Sequence, residues 1–244
     1  MKFAVKPYLQ TVSIRPDAVI DEAHYPYNIP AVRDLGTIAF HPDVTFLIGE
    51  NGAGKSTLLE AIALALGFSR EGGTRGFNLS TAQSESSLHE VLKLVRGFRQ
   101  PRDGYFLRAE SFYNVATFMD QTGYLDGYGG KSLHARSHGE AFMTLLTHKF
   151  RGKGLYLLDE PEAALSPNRQ LSALRLIREL VADTSQFIIA THSPILLAYP
   201  GAKILQFDGS GITEVAYEDT EHYAITRDFL NHYPRRLEQL FSDD

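Results

Sequence analysis

The sequence predicts an α/β fold with a mostly parallel sheet flanked by helices, on three observations. Continuous apolar runs of strand length occur at Val44 to Ile48, Leu155 to Leu158 and Phe187 to Ala190. Such runs suit parallel strands covered on both faces, where an alternating pattern would mark a strand with one wet face. The first two runs are followed by apolar residues at helical spacing: Leu58, Leu59, Ile62 and Leu66, then Leu171, Leu174, Ile177 and Val181. Strand and helix in alternation is the pattern of a parallel α/β sheet.

The elements follow in order. Phe3 to Ile14 alternates loosely and is β-like, and Pro16, Pro26 and Pro30 then break the chain into loop. Asp34 to Phe40 is a candidate second short strand, turned at His41-Pro42-Asp43 into the apolar run at Val44, so an antiparallel β patch is expected at the N-terminus. Tyr25 and Tyr27 lie upstream of that run; packing is the favoured role for both, with adenine stacking as the alternative. Gly67 suits the end of the first helix. Ser69 to Gln83 reads as a polar surface loop, and Leu88, Val91, Leu92, Val95 and Phe98 return to helical spacing. Tyr105 to Ala109 is a short strand; Phe112, Val115, Ala116 and Met119 mark a further helix; Gly123 to Gly130 is a glycine- and tyrosine-rich loop. Ser166-Pro167 combines a capping serine with proline at the first helical position. Ile204 to Phe207 and Ile212 to Tyr217 form a hairpin around Asp208-Gly209-Ser210-Gly211, and a last helix over Asp228 to Phe241 is interrupted at Pro234.

Composition narrows the function. The 244 residues, 43% hydrophobic, suffice for one sizeable core. A net charge of −5 gives no global attraction to nucleic acid or anionic membrane. The absence of cysteine excludes disulfides and thiolate metal sites. No apolar stretch approaches the length of a membrane span, and the N-terminus shows no signal-peptide pattern, so a cytoplasmic location is expected. Arg96, Arg99, Arg102 and Arg108 are read as a solvated face rather than a nucleic-acid patch, because no aromatic-basic motif accompanies them.

The chemistry is concentrated at the strand ends. Gly49-Glu50-Asn51-Gly52-Ala53-Gly54-Lys55-Ser56-Thr57 fits the phosphate-loop spacing G-x-x-x-x-G-K-[ST], between an apolar strand and a helix as that motif requires. Glycines let successive N–H groups curl around a phosphate, and the following helix adds its positive dipole end. Lys55 places a cation at the β- and γ-phosphates of a nucleotide, and the Ser56 hydroxyl is placed to ligate Mg²⁺. Asp159 and Glu160 end the second apolar run; Asp159 is positioned for the metal and Glu160 for the attacking water. His192 ends the third run and is read as a γ-phosphate sensor. In open parallel sheets ligands bind at the carboxyl ends of the strands, so these groups should converge. Ser137-His138-Gly139-Glu140 opens a helix and forms a second anion-binding corner, a weak signal when taken alone.

Taken in order, G-E-N-G-A-G-K-S-T, S-H-G-E, L-Y-L-L-D-E-P-E-A-A-L-S and A-T-H-S-P resemble the ATP-binding-cassette ATPase superfamily. The likeness is to its soluble branch, with the DNA-repair and chromosome-structure ATPases and small predicted ATPases. It is good over Val44 to Leu66 and Arg136 to Pro194 and holds in outline between them. It implies a P-loop NTPase fold, ATP and Mg²⁺ as ligands, Glu160 as catalytic base and His192 as the switch histidine. Ala163 to Ser166 then falls at a dimer-contact loop. Ser137, Gly139 and Glu140 resemble the signature motif, which caps the γ-phosphate of ATP bound to a second subunit. Two departures stand out. The signature starts Arg136-Ser137-His138-Gly139 rather than Leu-Ser-Gly-Gly, and the usual glutamine between the phosphate loop and the signature is absent, leaving Glu110 as the candidate for its role at the metal.

The resulting expectation is a single ATPase domain in four parts: an antiparallel β region over 1–43, a nucleotide-binding core over 44–83 and 151–218, a helical lobe with the signature over 84–150, and a C-terminal helix over 219–244. An ATP-dependent head-to-tail homodimer switching an unidentified effector is the first functional expectation. The ATP-binding subunit of a membrane transporter and a DNA-repair-associated ATPase are the alternatives.

Overall fold

The structure, a computed structural model, describes residues 5–76, 86–122 and 137–242. Its strands are β1 (Leu9–Ile14), β2 (Ile38–Ala39), β3 (Val44–Gly49), β4 (Gly73–Thr74), β5 (Leu92–Arg96), β6 (Asp103–Arg108), β7 (Gly154–Asp159), β8 (Gln186–Ala190), β9 (Lys203–Asp208) and β10 (Gly211–Val215). Its α-helices are α1 (Pro30–Arg33), α2 (Lys55–Ala65), α3 (Leu88–Val91), α4 (Phe112–Thr122), α5 (His138–Thr144), α6 (Pro167–Ala182), α7 (Pro194–Leu197) and α8 (Glu221–Phe241). The main sheet runs β10-β9-β3-β8-β7-β6-β4. Its five inner strands are parallel, and the two edge strands pair antiparallel.

Burial explains the apolar runs. Every residue of β7 and β8 is buried. Successive side chains leave opposite faces of a strand. Leu47, Leu157, Ile188 and Leu205 accordingly join Leu58, Leu59 and Ile62 of α2 on one face. Phe46, Leu158, Ile189 and Ile204 join Phe142 of α5 and Ala173 and Ile177 of α6 on the other. The sheet is thus sandwiched between helices, and the carboxyl ends of β3, β7 and β8 lie side by side because these strands are neighbours in one parallel register.

The structure corrects the reading of residues 88 to 98. The spacing of Leu88, Val91, Leu92, Val95 and Phe98 predicts a helix, but only Leu88–Val91 is helical, and Leu92–Arg96 is a strand. That strand pairs antiparallel with β1, Ile14 opposite Leu92 and Val12 opposite Leu94, in a second sheet of order β2-β1-β5. β1 meets only two-residue β2 on its other side, so β5 supplies most of its backbone partners, and this long-range pairing overrides local spacing. Phe98, the last residue of that spacing, is 82% exposed. The segment Asp34 to Phe40 yields only the two-residue β2, after the short α1.

The last helix also differs. It begins at Glu221 behind the cap Thr220, a full two turns before the expected Asp228, and its break lies at His232 (φ −131°, ψ 22°), two residues before Pro234. Proline displaces the preceding backbone from the helical region, which carries the break upstream. The expected loop at 123 to 130 and Arg136 lie outside the described residues. Among the described residues no helix is long and apolar enough to cross a membrane.

Candidate functional site

The phosphate loop is shaped by positive φ at three glycines: Gly49 (+142°), Gly52 (+82°) and Gly54 (+98°). Space adds to this at two of them, barring a side chain at Gly49 and crowding one at Gly54. A Cβ on Gly49 would collide with the Phe207 carbonyl oxygen of β9, and one on Gly54 would press on Ile29 at 3.1 Å. Gly54 caps the N-terminus of α2, whose first residue is Lys55. Lys55 is 4% exposed, and its ammonium donates to the Gly49 and Glu50 carbonyl oxygens, each at 2.8 Å. Burial lowers its pKa, opposed by the nearby carboxylates of Glu160, Asp159 and Glu162.

The Ser56 hydroxyl donates to Asp159 Oδ1 at 2.8 Å, joining the loop to the end of β7. Burial pushes the Asp159 carboxyl up to about 6, against the lowering effect of the Ser56 bond and of Arg108. Arg108, at the end of β6, turns inward. Its guanidinium bonds Glu60 of α2 at 2.5 Å and Glu110 at 3.2 Å, with Nε 3.7 Å from Asp159. This corrects the assignment of Arg108 to a solvated face: its side chain is only 17% exposed, because α2 presents the buried carboxylate of Glu60 to it. Glu110 is well exposed beside this network.

Glu160 sits at φ +49°, ψ 52°, the left-handed region that a residue with a side chain seldom adopts, and its N–H donates to the Ala190 carbonyl at 2.9 Å. His192 Nε2 lies 3.8 Å from Glu160 Oε1. The His192 backbone is held by Glu162, whose carboxylate accepts the His192 N–H at 2.5 Å and the Thr191 hydroxyl at 2.7 Å. Burial raises the Glu162 carboxyl and lowers the His192 imidazole.

Asn51, Gly52, Lys55, Ser56, Thr57, Glu110, Glu160 and His192 line one cavity of about 560 Å³. Tyr25, half-exposed, shares a hydrogen bond of 3.2 Å with Thr57 at its edge, whereas Tyr27 is buried against the core. Ser137, Gly139 and Glu140 are not among the lining residues. They form a capping box at the start of α5: the Ser137 hydroxyl accepts the Glu140 N–H at 3.3 Å, and Glu140 accepts the Ser137 N–H at 3.1 Å. Arg169 of α6 bonds Glu140 at 3.3 Å, and a Cβ on Gly139 would press on the Ala164 carbonyl at 2.7 Å. The corner is therefore packed on the turn after Glu160 while Ser137 and Glu140 stay exposed.

The sequence reading missed Glu60, Glu162 and His222. Glu162 stood in plain view in D-E-P-E, but only the fold turns it under the Thr191–His192 backbone. Glu60 carries one signal, the sole charge in the apolar run Leu58 to Leu66. His222 carries none, since its meeting with His192 joins residues thirty positions apart.

Two family models match the chain: one described as "AAA domain" over residues 28–119, and one described as "AAA domain, putative AbiEii toxin, Type IV TA system" over residues 140–198. The hemin import ATP-binding protein HmuV of Streptomyces coelicolor is 34% identical over 173 residues, 64% of this chain and 61% of that protein. The chain thus spans about three fifths of that relative's length. Among solved structures, the ATP-binding subunit of an ABC transporter matches with a TM-score of 0.51 at 15% identity, covering 91% of this chain and 93% of that one. An SMC head bound to the C-winged helix domain of ScpA matches with a TM-score of 0.50 at 14% identity, covering 86% and 97%. These structures share the fold, a P-loop sheet between helices with a small antiparallel sheet attached.

Proposed function

We propose that this chain, which resembles the ATP-binding-cassette ATPases in both motifs and fold, binds Mg-ATP and hydrolyses it to ADP and phosphate. It does so as a cytoplasmic head-to-tail homodimer that switches a protein partner. The observation that carries the reading is the 2.8 Å bond from Ser56 to Asp159, which ties the end of β7 to a cavity that Ser56 lines with Lys55, Glu160 and His192.

The residues fit a nucleotide and its metal. Among the described residues the buried Lys55 ammonium is hydrogen-bonded to two backbone carbonyls, and a phosphate brings it an anion where the low dielectric makes charge pairing strong. Ser56 and Asp159 offer hard oxygen donors, with Glu110 beside them. Among the described residues no group of three or more His, Cys, Asp or Glu could hold a metal alone. Mg²⁺ suits such a site, because it takes its remaining ligands from phosphate and water. When bound, the ion neutralises charge on the phosphoryl oxygens. Glu160 orients the attacking water and accepts its proton; the water oxygen bonds to the γ-phosphorus as the bridging P–O bond breaks and ADP leaves with the electron pair. His192 donates a hydrogen bond to the γ-phosphoryl group. Ser137 and Glu140, exposed and outside their own cavity, are free to complete a partner's.

Replacing Glu160 with glutamine tests this. Mg-ATP binding should persist, hydrolysis should fall by at least ~10²-fold, and the variant should sediment as a dimer with Mg-ATP and as a monomer without it. A variant unable to bind ATP, or one with wild-type turnover, sinks the reading.

A second reading, the ATP-binding subunit of a transporter, is favoured by the name of the Streptomyces relative. Copurification with a membrane protein would support it, and hydrolysis stimulated by DNA at low salt would point instead to a repair role.

A further inference from the structure

We propose that His222, in the first turn of α8, is a positioning residue for His192: its Nε2–H donates to His192 Nδ1 and holds that ring with the proton on Nε2. The inference rests on the ATPase reading above and deepens it. His192 Nδ1 and His222 Nε2 are 3.2 Å apart, and the ring centroids lie 5.3 Å apart at 48°. The two remaining ring nitrogens, His192 Nε2 and His222 Nδ1, are buried and have no hydrogen-bond partner among the described residues.

Two neutral imidazoles sharing one bond allow two proton placements. If His192 Nδ1–H donated, its Nε2 lone pair would face the Glu160 carboxylate at 3.8 Å, two acceptors opposed, and His222 would bury an unpartnered N–H. If His222 Nε2–H donates, the N–H without a hydrogen bond is on His192, where the Glu160 carboxylate at 3.8 Å attracts it, and the orphan at His222 is a lone pair. Either placement leaves one buried N–H without a hydrogen bond; the second puts it opposite a carboxylate and on the ring that a phosphoryl oxygen would need as a donor. Burial lowers the pKa of both rings, which keeps them neutral.

The start of α8 is tied to the loop that carries His192. The Thr220 hydroxyl accepts the Tyr223 N–H and donates to the Tyr217 carbonyl at 2.7 Å, and the Tyr217 hydroxyl donates to the Pro194 carbonyl at 2.9 Å. No residue of α8 is fully buried, and these bonds tie its first turn, which carries His222, to the segment after β8. Glu162 fixes the His192 backbone and His222 fixes its ring.

The test uses the full chain labelled with ¹⁵N-histidine, read by two-bond ¹H–¹⁵N correlation, with His192 assigned from a His192→Gln spectrum. Wild type should show His192 as the Nε2–H tautomer, and His222→Leu a mixture. The Leu variant should lose roughly tenfold in kcat, with KM for Mg-ATP changed by less than about twofold. His222→Gln, whose amide N–H can replace the imidazole donor, should restore most of the rate. An Nδ1–H tautomer in wild type, or wild-type kcat in the Leu variant, overturns the proposal. A wild type that neither binds nor hydrolyses ATP would overturn the ATPase reading, with the tautomer still deciding the His222 bond.

Discussion

Ser56 and Asp159 are 103 positions apart in sequence and 2.8 Å apart in space, joined by one hydrogen bond from the first residue pair of α2 to the last residue of β7. Asp159 is 6% exposed, and burial raises its carboxyl to about 6 against the lowering effect of that bond. The raised value costs stability once the group ionises. Between the unfolded value near 3.8 and about 6, the folded state binds the extra proton, so this contribution is fully present below pH 3.8 and lost as pH rises through about 6.

Asp159→Asn, compared with wild type in EDTA without nucleotide, should therefore gain relative stability across that window. The difference should level off at roughly 2–3 kcal/mol above pH 6. Urea unfolding at a series of pH values measures it. A difference that does not change between pH 4 and 7 would contradict the assignment.

Arg108 and Glu60 form a largely buried pair, with side chains 17% and 11% exposed. Arg108→Met leaves Glu60 to Arg70 alone and should cost about 2–4 kcal/mol, because a buried carboxylate loses its nearest cation. Adding Glu60→Gln should recover part of that loss. Additive losses in denaturant unfolding would show that the pair is not coupled.

Tyr25 is 50% exposed and hydrogen-bonded to Thr57 of the phosphate loop, which leaves its ring open to stack on a base. Tyr25→Ala should weaken binding of a fluorescent ATP analogue by about tenfold or more, the range of aromatic–base stacking. Tyr25→Phe keeps the ring and should bind nearly as wild type. If Phe is as weak as Ala, the hydroxyl bond to Thr57 matters and stacking does not.

Ser137 is exposed at the α5 cap and absent from its own cavity. Ser137→Arg in the Glu160→Gln background should leave ATP binding by the monomer intact and abolish the nucleotide-dependent dimer in sedimentation. A dimer of unchanged strength would remove Ser137 from the interface.

Much of this site could be read from the chain because its signals are local. A phosphate loop needs glycine at fixed offsets, as Gly49, Gly52 and Gly54 show by their positive φ. An apolar run that ends in acid, as at Asp159, marks the end of a buried strand. Residues 88 to 98 show the limit: five apolar residues at helical spacing became half strand once β1 needed a partner.

The amino-acid order alone determined the α/β class, the phosphate loop and the strand ends bearing Asp159, Glu160 and His192, since each depends on neighbours within a few positions. Only the tertiary structure decided that Arg108 faces inward to Glu60, that Glu162 clasps the His192 backbone and that His222 meets its ring. Those contacts join segments 30 or more positions apart, and their pairing is set by the packing of sheet, helix and turn, which no local pattern encodes.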